Sequence, residues 1–71
     1  MTIIDIFRHC NNLEMESVVT VYSGPYDTTR IFKGELHSFI SHYPLIAREN
    51  EVTSFFIYPD GSVKYGAEFH V

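Results

Sequence analysis

The segment SFFIYPDGSVKYGAEFHV, residues 54–71, restricts the chain to folds that contain a β-hairpin. Two runs rich in aromatic and β-branched residues flank Pro59-Asp60-Gly61, which suits a three-residue loop with the glycine in the left-handed region. That loop pairs Tyr58 with Ser62, Ile57 with Val63, Phe55 with Tyr65 and Thr53 with Ala67. Side chains alternate along a strand, so Phe55, Ile57, Val63, Tyr65, Ala67 and Phe69 share one face, the expected core face. Val52, Ser54, Phe56, Tyr58, Lys64, Gly66, Glu68 and His70 share the other. Val52, Phe56 and Tyr58 then form an apolar cluster on a polar face, next to a dent at Gly66. Either a crossing helix hides them, or they lie singly among charges as exposed apolar residues commonly do, or they form a contact surface.

The remaining chain offers little to cover a second sheet face. Its 71 residues make one domain, 1–71, and a chain this short buries only about 60% of the surface its unfolded form exposes. At 45% hydrophobic and 15% aromatic residues the composition is that of a folded globular domain. Cys10 is the only cysteine, which rules out an internal disulfide and fits a reducing, cytoplasmic setting. Five Lys/Arg against nine Asp/Glu give a net charge of −4, which argues against direct binding to nucleic acid or to an anionic membrane. The opening MTIIDIF lacks a basic flank and carries Asp5, unlike a signal peptide. No uncharged apolar run approaches the roughly 20 residues that span a bilayer.

Four further elements can be read. Residues 2–12 suit a short helix, with Thr2 as N-cap, Asp5 completing a capping box, and Ile3, Phe7 and Cys10 on one stripe. Ile4 and Ile6 leave a strand open as the alternative. Residues 15–23 read as a strand ending at Gly24-Pro25, and residues 28–33 as its return strand with Gly34 closing it. The SGPYD loop is too long to fix their register. Leu36, Phe39, Ile40 and Tyr43 predict a helix of about two turns from residue 35 that ends or kinks before Pro44. The expected fold is a small α+β domain in αββαββ order, a mostly antiparallel four-stranded sheet with two short helices on one side.

Residues that could carry chemistry do not assemble into a motif. His37 and His42 are five apart, about 140° round a helix, so they do not share a face as zinc-binding pairs do. Cys10 falls on the buried stripe, where it behaves as a small hydrophobe and not as a nucleophile. Glu14 and Glu16, like Glu49 and Glu51, read as solvated strand ends rather than a general acid and base. The four glycines stand at turns and strand ends, not in a phosphate-binding loop. VKYGAEFHV has the aromatic spacing of a base-stacking strand, but the element order and acidic charge oppose RNA binding. The expectation is a non-enzyme with no cofactor and no metal.

The run FKGELHSFISHYPLIARENEVTSFFIYPDG resembles small, uncharacterised accessory proteins of phages and conjugative elements of Gram-positive bacteria. The matching residues are Gly34 and Glu35 at a strand end, Pro44 in a short following segment, and Val52 and Ser54 opening the next strand. The resemblance spans about half the chain and implies a mobile-element setting, a cytoplasmic location and a non-enzymatic role.

The functional expectation is a small interaction or regulatory module, a homodimer or the binder of a protein partner. Its contact residues would be Val52, Phe56 and Tyr58, with Tyr26 as an outlying anchor. The alternative is an acidic inhibitor of a host nucleic-acid-handling defence system, of anti-restriction or anti-CRISPR type, that offers Glu14, Glu16, Glu49 and Glu51 to a basic surface.

Overall fold

A computed structural model describes residues 1–24, 29–61 and 64–71. Helix α1 (Ile3–His9) is followed by strands β1 (Val18–Tyr22) and β2 (Arg30–Glu35). Helices α2 (Leu36–His42) and α3 (Pro44–Glu49) come next, then β3 (Ser54–Asp60) and β4 (Lys64–His70). The sheet order is β2-β1-β4-β3. Each hairpin is antiparallel, and the two join through a parallel seam that sets Val19 against Ala67 and Val21 against Phe69. The α+β class and the mostly antiparallel four-stranded sheet are as the sequence implies.

Local chemistry accounts for the helices. Thr2 caps α1: its hydroxyl accepts from the Asp5 N–H at 3.2 Å, and the Asp5 carboxylate accepts from the Thr2 N–H at 3.1 Å. This reciprocal bonding holds the Asp5 carboxyl below its ordinary range. Segment 2–12 is therefore helical, not a strand, from Ile3 to His9 and ends at an extended Cys10 before Asn11 and Asn12; its Ile3 and Ile6 point inward. The kink expected at Pro44 is the start of a further helix. Pro44 occupies the first turn of α3, where its missing N–H costs nothing and its fixed φ favours helix. The described residues thus form three short helices where the sequence suggested two. Strand β2 also runs through Gly34 to Glu35 and passes into α2 without a loop.

All three helices contribute to one layer. Ile3, Ile6, Leu13, Leu36, Phe39 and Ala47 pack with Val19, Val21, Ala67 and Phe69 from one face of the sheet. Phe39 stacks on Tyr43 and tilts against Phe32, with centroids 5.5 and 5.3 Å apart. Ser17 is fully buried and polar; its hydroxyl accepts from the Glu14 N–H at 3.0 Å, which closes the turn before β1.

The second hairpin departs from the register its loop suggested. Ile57 pairs with Ala67, Phe55 with Phe69, Tyr58 with Gly66 and Asp60 with Lys64. Each β3 residue meets a partner four positions later than the Pro-Asp-Gly loop predicts, because Pro59 and Asp60 stay within the strand. An offset of four is even, so the described residues of β3 and β4 keep their faces; Ser62 and Val63 lie outside the described residues. Side-chain fit explains the choice: the Phe55 ring meets Phe69 at 6.4 Å, and the Tyr58 ring lies over Gly66, where a Cβ would sit 2.7 Å from it. A second correction concerns burial. Phe55 and Tyr65, assigned to the core face, are 49% and 36% exposed. The helices lie over the central strands and leave the β3 side of that face partly open.

Candidate interaction surface

The outer sheet face carries Val18, Thr20 and Tyr22 from β1, Lys33 and Glu35 from β2, Phe56 and Tyr58 from β3, and Glu68 and His70 from β4. The described helices pack on the opposite face, and Lys33, Glu35 and Phe56 stand exposed here. Thr20 is buried in the row Lys33–Thr20–Glu68–Phe56. Tyr58 fills the glycine dent and stacks on Phe56 at 6.0 Å. Burial, with Asp60 and Glu68 nearby, raises the Tyr58 hydroxyl above its ordinary value.

His70 closes the other end of this face. Its ring stacks on Tyr22 at 5.0 Å, Nδ1 lies 3.0 Å from the Gly24 carbonyl, and Nε2 lies 2.9 Å from the Glu68 carboxylate. Both partners are acceptors, so only the doubly protonated ring donates to both. The Glu68 hydrogen bond raises the His70 pKa above 6.5; desolvation opposes it, and the Gly24 carbonyl adds to it. A raised folded-state value means His70 stabilises the fold fully below its unfolded pKa, and this contribution fades as pH rises through the folded one. The melting temperature should therefore fall as pH climbs upward from about 6.5, the unperturbed histidine value. Glu68→Gln should flatten that slope, which thermal melts of both proteins across this range would measure.

The sheet has two edges, and they differ. β2 carries Arg30, Lys33 and Glu35, and its register with β1 breaks between Val21 and Tyr22; charges and irregularities of this kind deter strand addition. β3 runs Ser-Phe-Phe-Ile-Tyr-Pro before its first charge at Asp60. On it Phe55 is 49% and Phe56 63% exposed, on opposite faces of the sheet.

The direction of the free backbone groups on β3 follows from the seam. Val71 donates to the Tyr22 carbonyl and accepts from the Gly24 N–H, so its polar groups face β1. Backbone groups alternate along a strand, so those of His70, Glu68 and Gly66 face β3 and engage Ser54, Phe56 and Tyr58. The N–H and C=O of Phe55 and Ile57 therefore point outward. Pro59 falls in the same outward set, where a proline costs no ladder bond.

The sequence-predicted contact residues are not all brought together. Phe56 and Tyr58 are adjacent on the outer face. Val52 is not: it precedes β3, its N–H bonds the Met1 carbonyl at 2.8 Å, and its side chain packs on the helix-side core. It leaves the outer face because β3 begins only at Ser54. Tyr26 lies outside the described residues. Phe55 was missed, since its parity matches the core and only the edge position of β3 exposes it. The signal available was the Phe-Phe pair itself, which puts an aromatic on each face.

Among the described residues, no three His, Cys, Asp or Glu side chains converge on a point that could hold a metal. Cys10 is half-buried against the core. His37 meets Glu35 at 3.0 Å on the surface, and His42 Nδ1–H donates to the Ser38 carbonyl at 2.8 Å. Glu14 and Glu16 are exposed in the turn before β1, and Glu49 and Glu51 are exposed around the end of α3. Glu51 also meets the Met1 amino group. No helix among the described residues is long and apolar enough to cross a membrane. The chain matches no family model, no curated protein and no solved structure, so its own geometry is the ground for a functional reading.

Proposed function

We propose that this protein is a small non-catalytic interaction module that recognises an extended segment at the β3 edge, with Phe55 and Phe56 as anchors and Tyr58 beside them. The observation that carries this reading is the pair of exposed phenylalanines on opposite faces of an edge strand that has no charge before Asp60. Main-chain pairing supplies affinity in strand addition, and side chains on alternate faces supply selectivity. The resemblance of residues 32–61 to accessory proteins of mobile elements supports a regulatory role in the cytoplasm for such a module.

Phe56→Asp is the direct test. The ring contributes to contact and little to the core, so the variant should melt within a few degrees of the parent. Association at the edge should weaken by tenfold or more, as expected when an aromatic anchor worth about 2 kcal/mol is lost. Light scattering after size exclusion reads the association and circular dichroism the fold. A variant that unfolds would place Phe56 in the core and end the proposal.

A further inference from the structure

We infer that the occupant of the β3 edge is a second copy of this chain, paired antiparallel about a two-fold axis that passes beside Phe56. This rests on the edge-recognition reading above and names its partner.

An isologous contact requires a patch complementary to itself, and the β3 edge meets that condition in one register. The outward groups are the N–H and C=O of Phe55 and of Ile57, with Pro59 offering only a carbonyl. With Phe55 opposite Ile57 of the second copy, the four groups of these two residues are paired on each strand, and only the Pro59 carbonyl, opposite Thr53 at the end of the pairing, is left to solvent. Centring the axis on Phe55 leaves the Ile57 carbonyl without a donor, because the Thr53 N–H is already given to the His70 carbonyl at 2.7 Å. Centring it on Ile57 leaves the Phe55 carbonyl opposite Pro59, which has no N–H.

The side chains agree with this register. Phe56 meets its own copy at a non-hydrogen-bonded position, where cross-strand side chains come closest. Tyr58 falls opposite Ser54 and Asp60 opposite Val52, so no like charges face each other. On the helix side, a groove of about 220 Å³ lined by Met1, Ile6, His9, Cys10, Phe55 and Ile57 opens beside the edge. In this register Phe55 of each copy lies next to Ile57 of the other, at the mouth of that groove. One strand pair makes a small interface, at the low end of the size range of specific complexes, so the dimer should dissociate on dilution.

The test uses the full chain with Cys10→Ser, so that one introduced thiol is the only one. Phe56→Cys should form a covalent dimer in oxidised glutathione. Phe55→Cys should do so at least tenfold more slowly, because its copies sit on a diagonal about 7–8 Å apart, beyond disulfide reach. Phe55→Pro removes one outward N–H without touching the bonds to β4; it should keep its fold and remain at the 8.2 kDa monomer mass. Equal crosslinking at the two positions would overturn the register. A parent that stays monomeric at millimolar concentration would overturn the second copy as occupant, while a folded Phe56→Asp would leave the edge-recognition reading standing. Unfolding of Phe56→Asp would remove both.

Discussion

Phe69→Ala should cost about 3–5 kcal/mol and leave a protein partly unfolded at 37 °C. A chain of this length has a total stability of roughly 4–11 kcal/mol at typical values per residue, so the loss consumes much of it. Phe69 is fully buried, lies beside Val21 in the parallel seam and opposite Phe55 in the antiparallel ladder, and is covered by the helical layer. Its removal opens a cavity where both neighbours are held by backbone pairing and cannot collapse inward. The melting temperature should drop by at least about 12 °C. Phe55→Ala is the matched control: it truncates the same ring type, directly opposite, on a residue that is half exposed. Its effect on thermal or urea melts should be a fraction of the first. Comparable losses would mean the helices cover β3 as fully as they cover β4.

Leu36→Ala should cost about 2–5 kcal/mol, for a reason that combines packing with connection. Leu36 is the first residue of α2, it follows β2 directly, and it is fully buried. Its N–H donates to the Ser17 carbonyl at 2.9 Å, and the next N–H, of His37, donates to Met15 at 3.0 Å. The strand-to-helix junction is therefore bonded to the turn before β1. Alanine keeps both backbone bonds and has the higher helix propensity, so any destabilisation comes from the lost isobutyl group. Urea melts should show a lower midpoint with an unchanged slope. A neutral result would remove Leu36 from the group that holds the helices to the sheet.

The parts of this fold that were legible depend on parity and local caps. Alternation put Ala67 and Phe69 inward and Phe56 and Tyr58 outward, and it survived a four-residue error in register because four is even. The Thr2–Asp5 pair identified α1 despite the mixed signals of Ile4 and Ile6. What was not legible depends on where an element sits in the sheet. Nothing in SFFIYPD says that β3 is an edge, so Phe55 read as core and Val52 as part of the outer cluster. Pro44 was ambiguous for a related reason: a proline that ends one helix is chemically suited to begin another, and only the chain's next packing contact decides. Gly66 was visible as a dent, but its use as the seat of Tyr58 depends on a register that a turn motif alone could not set.

The parallel seam between β1 and β4 has a consequence for how the molecule reaches this state. Each hairpin closes between neighbours in sequence, whereas Val19–Ala67 and Val21–Phe69 join opposite halves of the chain. Contacts of long sequence separation carry the loop-closure entropy and limit the folding rate. The slow event should be docking of two preformed hairpins along this seam. Substitutions at Val19, Val21 and Ala67 would then slow folding, while changes at the β3 margin would act mainly on unfolding. Until the seam closes, β1 and β4 each present an open edge, so the centre of the finished sheet is the last part to be protected from the wrong neighbour.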